Sequence, residues 1–258
     1  MIYQGIDTAA RITAETAKKL RQEDVSFAVR YLVPNFGATA WKALSASEAA
    51  DIRSAGLALM LCWELTGDRV KGGGDVGKVD GAAARKLAEA MGVPAGTAIY
   101  FAADYNAPET DFRSIFEYLY GASQEIGAYS VGLYGHEDLV RYMADRKACR
   151  FFWQCVAWSN QFDAAATVRQ YCWQGGDEAK ALTAKVGIAV DLDSAETLAG
   201  MWLPDKPSTE AEDAHKWATD AGIVDETMRD VSQYEIMLWR YHRIYTPEDN
   251  KTTSGLLE

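Results

Sequence analysis

TAIYFAAD (97–104), followed by a helical pattern over 108–126 and then by YSVGLYG (129–135), is the stretch that decides the fold. Pro108 suits the first turn of a helix, because an amide is not needed there. Gly127 suits the helix end, because glycine accepts a left-handed backbone. The stretch therefore predicts a strand, a helix and a second strand, which is the repeating unit of parallel sheets.

The same alternation runs outward in both directions from this unit. Short apolar runs that predict strands lie at 2–7, 25–32, 57–64, 97–104, 129–135, 150–158, 168–173 and 186–193. Helical patterns follow most of them, at 13–23, 45–56, 75–91, 108–126 and 136–146. Nearly continuous apolar strands are typical of sheets buried on both faces. Eight parallel strands of this kind predict an α/β fold, a (β/α)8 barrel.

An open, doubly wound sheet is the alternative fold. It normally uses a glycine-rich first turn for phosphate, and the turn after Asp7 has none. One departure from a regular barrel is visible, because residues 159–167 are too few for a full helix between the sixth and seventh strands.

The predicted domains are a barrel over 1–202, a polar, proline-rich linker over 203–212, and a helical module over 213–246. About 40 residues are too few to be stable alone, so we expect the module to pack on the barrel, to bind a partner or to dimerise.

Charge and hydropathy exclude several classes of protein. The chain has 26 Lys and Arg against 37 Asp and Glu, a formal charge of −11, so a basic surface for nucleic acid is not expected. No apolar run approaches membrane-spanning length, and MIYQGID at the start has no Sec-type apolar segment. We therefore expect a protein made in the cytoplasm without a signal peptide and not inserted in a membrane.

Carboxylates stand at the ends of four predicted strands. They are Asp7, Glu64, Asp104 and the pair Asp191 and Asp193. In a barrel these ends meet at the rim that holds active sites, and closure brings the last strand beside the first. The alternative is that the acids on the first and last strands cap helices or pair with Arg30.

Two carboxyl groups, one protonated and one ionised, are what glycoside hydrolysis requires. Glu64 follows Cys62 and Trp63, so an apolar setting would make Glu64 the acid. Asp104 and Asp7 would then lie on a polar rim, with Asp104 ionised. Metal binding is disfavoured, because no His lies near these acids in sequence, and we expect no cofactor.

Aromatic and polar side chains near the same strand ends predict a sugar-binding surface, since sugar C–H faces stack on aromatic rings. Core packing is the alternative for each ring, and a helix start is the alternative for His136. The predicted substrate-binding residues are Arg30, Tyr31, Trp63, Tyr105, His136, Gln154, Trp158, Gln170, Tyr171, Asp191 and Asp193; Trp173 belongs to the same aromatic group.

The ordered motifs GIDTA, FAVRYL, AGLAL with WE, GTAIYFAADY, SVGLYG, FWQCVAWS, RQY and VDLD resemble the glycoside-hydrolase-like barrel domain of unknown function that is related to family 25 lysozymes. The resemblance covers residues 1–200 and implies cleavage of peptidoglycan glycan strands. Asp7, Asp104 and Asp191 or Asp193 match acids of those lysozymes. Asn106 stands where they have a Glu, a place that Glu64 would take over.

The resemblance implies a phage or prophage endolysin, a muramidase-like glycosidase released by a holin, with cell-wall glycan as its partner. The tail resembles short helical modules of phage lysins through Trp217, Gly222, Trp239 and Arg240, which implies wall binding or oligomerisation. One alternative is a non-catalytic barrel that binds cell-wall carbohydrate. Another is a metabolic hydrolase of a different glycan, which the tail disfavours.

Overall fold

The computed structural model describes residues 2–204, which form one closed barrel of eight strands. Neighbours in the barrel follow chain order, and the last strand returns to the first, so the predicted (β/α)8-type architecture is confirmed. The strands are β1 (Tyr3–Asp7), β2 (Val25–Tyr31), β3 (Ala58–Trp63), β4 (Ala98–Ala102), β5 (Ser130–Gly135), β6 (Phe151–Gln154), β7 (Val168–Cys172) and β8 (Asp191–Ala195). The predicted helical module at 213–246 and nearly all of the predicted linker lie outside the described residues.

Helices cover the outside of the barrel. They are α1 (Ala14–Gln22), α2 (Ala46–Ser54), α3 (Gly73–Met91), α4 (Glu109–Glu125), α5 (Glu137–Asp145) and α6 (Asp177–Val186). The caps follow from local sequence, since Thr13 Oγ1 accepts from the Thr16 amide and Ser45 Oγ accepts from the Glu48 amide. As predicted, the connection from β6 to β7 contains no helix.

The eighth strand differs from the prediction of eight parallel strands. It begins at Asp191, later than the predicted run at 186–193, and pairs antiparallel with both β1 and β7. The preceding helix α6 ends at Val186, and Gly187 turns the chain with φ 85°. Because β8 then starts at the rim where β7 ends, its first residue, Asp191, is level with Asp7 at the end of β1.

Side chains alternate strictly between the inside and the outside of the barrel. Those that fill the interior include Phe27, Val29, Ala58, Met60, Cys62, Ala98, Tyr100, Ala102, Tyr134, Phe151, Trp153 and Val168. Residues one position away, such as Leu59 and Leu61, belong to the outer core under the helices. Every second residue therefore faces the axis, which decides which strand-end side chains reach the rim cavity.

Two strand glycines make room for large interior rings. A Cβ on Gly5 would lie 2.2 Å from the Phe27 ring, and one on Gly132 would lie 2.8 Å from the Tyr100 ring. Both rings are fully buried. These rings therefore fill the barrel interior below the rim.

Among residues 2–204, none of the helices combines the length and the apolar character needed to cross a bilayer.

We expect Gly5→Ala to lower the free energy of unfolding by about 1–3 kcal/mol, because the added methyl overlaps the Phe27 ring in a core that cannot expand. Urea denaturation measures this loss. The double variant Gly5→Ala/Phe27→Leu should recover part of it, since the smaller side chain leaves the methyl space. Equal loss in both variants would show that the ring is not the cause.

Candidate functional site

One cleft of about 540 Å³ opens at the rim where β1 to β7 end and β8 begins. Its walls combine acids with aromatic rings. The lining residues are Asp7, Tyr31, Cys62, Glu64, Asp104, Tyr134, Trp153, Val156, Ala157, Gln170, Trp173 and Asp191. The structure therefore brings the predicted acids Asp7, Glu64, Asp104 and Asp191 together around one cavity.

Gln170 joins the two acids on the β1–β8 side of the cleft. Its Nε2 donates to Asp7 Oδ2 and to Asp191 Oδ2, both at 2.8 Å. The Tyr134 hydroxyl donates to Gln170 Oε1 at 3.1 Å, which fixes the orientation of the amide. The Gln174 amide donates to the other Asp191 oxygen at 2.7 Å. These acids are consequently held in place before any ligand arrives.

Burial raises the pKa values of the acidic side chains on this side of the cleft. Burial and the charge of Asp191 raise the pKa of Asp7 to about 7. Below the cleft Asp193 is fully buried, accepts from Trp153 Nε1 at 2.7 Å through one oxygen, and has no hydrogen-bond partner within residues 2–204 for the other. Burial first, and then the charge of Asp7, raise the pKa of Asp193 well above its usual value. Asp193 thus lies beneath Asp7 and is not a cleft residue.

Glu64 has a different environment from the apolar one predicted. Lys42 Nζ lies 2.7 Å from Glu64 Oε1, and the same ammonium lies 4.2 Å from the centre of the Tyr31 ring. Both members of the ion pair are largely shielded from solvent. Glu64 is therefore ion-paired with a buried lysine from the β2–α2 loop, and the apolar surroundings expected from Cys62 and Trp63 are corrected.

Asp104 projects from the end of β4 and is solvent-exposed at the cleft mouth. Its amide donates to the Gly67 carbonyl at 2.8 Å, and a side chain at Gly67 would lie 2.7 Å from the Asp104 carbonyl. Glycine therefore permits this close approach of the two loops. The surrounding cleft walls, and next the charge of Glu64, raise the pKa of Asp104. The surroundings of Asp104 therefore favour its protonated form more than water would.

Arg30 does not reach the cleft. Its side chain is 1% exposed and lies on the outer side of β2, where Nε bonds Glu48 Oε1 at 2.7 Å. It also donates to the carbonyls of Thr8 at 2.6 Å and Lys42 at 3.2 Å. Arg30 thus fixes the two loops that carry Asp7 and Lys42, and the predicted substrate contact is corrected to a structural role.

Four other predicted binding residues also face away from the barrel axis, because side chains alternate between the inside and the outside of the barrel. Trp63 is buried in the outer core, Tyr105 donates to Asp111, and Tyr171 donates to Gln4. Gln154 is fully buried and clamps the following loop through the Gln161 carbonyl and the Asp163 amide. Each of the four is one position away from an inward-facing residue, and none lines the cleft.

His136 and Trp158, which were also predicted to bind substrate, do not line the cleft. His136 is buried at the start of α5, with Nε2 3.1 Å from the Ala107 carbonyl, which is the helix-start alternative. Trp158 does not line the cleft, but it follows the cleft residue Ala157 and is 47% exposed.

The cleft contains residues that the sequence did not single out. Lys42 enters from a loop, and Tyr134 and Trp153 enter from β5 and β6. The sequence could have indicated the two rings, because each lies an even number of positions from another inward-facing residue of its own strand. Lys42 carries no such signal, because its approach to Glu64 depends on the path of a loop. Among the described residues, no group of three or more His, Cys, Asp or Glu side chains is arranged to hold a metal ion.

Comparisons with known proteins agree on the fold. The family model described as "Rv2525c-like, glycoside hydrolase-like domain" matches residues 18–197. No curated protein matches the chain.

Solved structures share the barrel at low sequence identity. The Mycobacterium tuberculosis Tat-secreted protein Rv2525c, crystallised with L-tartrate, is 23% identical with a TM-score of 0.67, over 78% of this chain and 98% of that one. An uncharacterized B. stearothermophilus protein is 20% identical with a TM-score of 0.54, over 78% and 100%. The catalytic domain of endolysin ply40 from bacteriophage P40 of Listeria monocytogenes is 15% identical with a TM-score of 0.50, over 78% and 98%.

The expected location is wrong. The sequence lacks a Sec-type apolar segment, and from this we expected a cytoplasmic protein that a holin releases. The mycobacterial structure with the same fold is a Tat-secreted protein. Tat export depends on a different signal from the Sec-type segment, and it needs no holin.

We expect Glu48→Ala to lower the free energy of unfolding by about 3–5 kcal/mol, because it leaves the buried Arg30 guanidinium without its carboxylate. Thermal or urea denaturation measures the loss. Replacing both partners, as Arg30→Met/Glu48→Leu, should cost less than the single change. A single variant as stable as the wild type would contradict the structural role of the pair.

We expect the free energy of unfolding to fall as pH rises from about 4 to about 8. Asp7 has a folded pKa of about 7 against 3.8 for an ordinary aspartate, so the folded state binds the proton more tightly and loses that advantage as the pH passes through this window. Asp7→Asn removes this contribution, so the fall in the free energy of unfolding over this pH range should be smaller by about 2–4 kcal/mol. Asp145→Asn, an exposed aspartate on α5, should leave the profile unchanged. Identical urea-denaturation profiles for Asp7→Asn and the wild type would contradict the assignment.

Proposed function

The chain belongs to the Rv2525c-like family of glycoside hydrolase-like domains, and from this premise we propose that its cleft hydrolyses glycosidic bonds of a cell-wall glycan. The observation that carries the proposal is the pairing of unlike acids on neighbouring strands. Glu64 at the end of β3 is ion-paired, whereas the neighbours of Asp104 beyond β4 favour its protonated form. Two carboxyl groups with opposing environments are what a glycosidase needs.

In the proposed mechanism Asp104 donates a proton to the leaving glycosidic oxygen. Its exposure at the cleft mouth lets it reach a bound ligand, and the neighbouring Glu64 charge keeps it protonated at higher pH than an isolated aspartate. Glu64 acts as the ionised partner, as base or nucleophile, or stabilises developing positive charge on the sugar ring. This order reverses the roles that the sequence suggested, because Lys42 stabilises Glu64 as a carboxylate.

The acids on the opposite wall have a supporting role in this proposal. Asp7 and Asp191 are held by Gln170, which offers no proton of its own for catalysis. A partly protonated Asp7 can donate to a sugar hydroxyl or accept from it, and it adds less negative charge to the cleft than a free carboxylate. Aromatic surfaces at Tyr31 and Trp173 complete a site suited to a carbohydrate.

We propose that the protein is an exported cell-wall glycosidase and not an endolysin that a holin releases. The support for this proposal is the Tat-secreted mycobacterial protein of the same fold and family description, together with the fold shared with an endolysin catalytic domain.

Reducing-sugar release from purified mycobacterial and Gram-positive peptidoglycan tests the activity. We expect Asp104→Asn and Glu64→Gln each to lower the rate by at least about 100-fold, because each removes one half of the acid pair. Asp145→Asn removes an exposed carboxylate outside the cleft and should keep full activity. Unaltered rates in both cleft variants would contradict the proposal.

The roles of the two acids can be separated by pH. Because the Glu64 charge raises the pKa of Asp104, Glu64→Gln should move the alkaline limb of the residual pH–rate profile to lower pH. If Glu64 were the proton donor, that limb would instead disappear in Glu64→Gln and remain in Asp104→Asn.

A non-catalytic carbohydrate-binding barrel is the second candidate function. Two observations favour it: Lys42 neutralises Glu64, and Asn106 stands where the related lysozymes have a Glu. Under this alternative the wild type co-sediments with the same walls and releases no reducing ends.

A further inference from the structure

Most of the exposed aromatic side chains lie at one end of the barrel. Among residues 2–204, the large hydrophobic residues exposed to solvent are Ile2, Phe36, Trp41, Val79, Tyr120, Trp158, Phe162 and Trp173. Of the six aromatic ones, Phe36, Trp41, Trp158 and Trp173 follow the rim ends of β2, β6 and β7, whereas Tyr120 lies on α4 and Phe162 contacts Arg169 on the outer side of β7. Exposing large rings has a cost in water, so their concentration around one opening marks a binding surface.

The rim rings form two groups on opposite sides of the cleft. Phe36 and Trp41 lie in the loop after β2, whereas Trp158 follows β6 and Trp173 follows β7. In a closed eight-stranded barrel β2 and β6 are diametrically opposed, with three strands between them on either side. The two aromatic groups therefore face each other across the opening.

The acids lie on the two flanks of the line that joins these groups. Glu64 and Asp104 follow β3 and β4 on one flank, and Asp7 and Asp191 belong to β1 and β8 on the other. Along the line itself the cleft wall is aromatic or apolar, with Tyr31 at the β2 end and Trp153 and Ala157 at the β6 end. A ligand lying on this line would have stacking surfaces at both ends and carboxyl groups on both sides of its middle.

The rings on the β6–β7 side are held in position without a ligand. Trp158 has φ 57°, a left-handed conformation that is costly for a large residue and is typical of functional sites. The next residue, Ser159, donates to the Cys155 carbonyl at 2.8 Å and accepts from the Glu137 amide at 3.0 Å. The loop thus has a shape fixed by hydrogen bonds, and in this shape the Trp158 indole is 47% exposed.

Trp173 packs against the chain that follows it. A Cβ on Gly175 would lie 2.1 Å from the Trp173 ring, so the indole contacts the glycine backbone. The ring remains 60% exposed and lines the cleft. An indole that is held by the backbone and exposed at the cleft offers a surface for stacking.

The β2 side is tied to the acid site. In the 3-10 helix over Gly37–Lys42, Trp41 is 71% exposed while the adjacent Lys42 reaches Glu64. The Thr39 hydroxyl donates to the Pro34 carbonyl at 3.0 Å and braces the loop. Trp41 therefore lies outside the lining of the cleft, next in the chain to the lysine that contacts Glu64.

We propose that a linear glycan binds across the whole barrel mouth, from Trp41 above β2 to Trp158 above β6, and is cut or held at an internal position between the acids. The inference rests on the proposed function only for the reaction between the acids at the centre of the cleft. It deepens that function by assigning an extended polysaccharide, bound along its length, in place of a chain end or a small sugar. The occupant of this aromatic track is inferred from exposed aromatic rings on opposite sides of a cleft that is itself lined by Tyr31, Trp173 and four carboxyl groups.

Binding of soluble β-1,4-linked N-acetylglucosamine oligomers to the full chain tests the track without depending on hydrolysis. By calorimetry at a pH where no cleavage occurs, or with Asp104→Asn, the hexasaccharide should bind at least about tenfold more tightly than the disaccharide, because only the longer chain spans both aromatic groups. Trp41→Ala and Trp158→Gly should each weaken hexasaccharide binding by about 3- to 10-fold and leave disaccharide binding unchanged.

The variants are chosen to separate stacking from folding. Glycine adopts the backbone of Trp158 without strain, so Trp158→Gly removes the indole alone. Tyr120→Ala removes an exposed ring on α4 and should not change binding of either oligomer. Thermal unfolding of each variant confirms that the barrel is intact.

The outcomes distinguish this inference from the proposed catalysis. Equal affinity for the two oligomers, or a loss in Tyr120→Ala equal to that in the tryptophan variants, would overturn the track even if the protein hydrolyses walls. Length-dependent binding that needs Trp41 and Trp158 would establish the track even if no reducing ends are released, in which case only the catalytic proposal fails.

Discussion

Closure of the barrel by β8 is the constraint on which the site depends. The strand pairs antiparallel with both β1 and β7, and its register places Asp191 opposite Asp7 and Asp193 opposite Gly5. Two acids separated by one residue on the same strand therefore face the axis at two depths. The upper one joins the cleft, and the lower one is sealed beneath it.

The chemistry of the cleft follows from how its negative charge is balanced. Four carboxyl groups line the cavity, and one of them, Glu64, pairs with the Lys42 ammonium behind the cleft wall. Burial and mutual repulsion raise the pKa values of Asp7 and Asp104, although the Lys42 charge opposes the rise at Asp104. The four acids of one cavity thus have different electrostatic surroundings.

Rigidity outside the cleft sets the shape of its mouth. Arg30 and Glu48 fix the loops after β1 and β2, and Gln154 fixes the loop after β6. These buried polar residues contact no ligand, yet they hold the backbone from which Lys42 and Trp158 project. Their hydrogen bonds are satisfied within the fold, which is why strongly polar side chains are stable on the outer face of apolar strands.

The amino-acid sequence by itself determined the order of the strands, the first five helices, the caps at Thr13 and Ser45, and the placement of Asp7, Glu64 and Asp104 where parallel strands end at one rim. Those features depend on local periodicity and on residues adjacent in the chain. The tail at 213–246 keeps its sequence-based prediction, since it lies outside the described residues.

Only the tertiary structure decided which strand-end side chains meet. Arg30, Trp63 and Gln154 come from strands that are apolar on both faces, where no hydrophobic alternation marks the inward side. The direction of β8 and the pairing of Lys42 with Glu64 depend on where a helix stops and how a loop returns. Such contacts join residues that are distant in sequence, and their geometry is set by barrel closure and not by any local pattern.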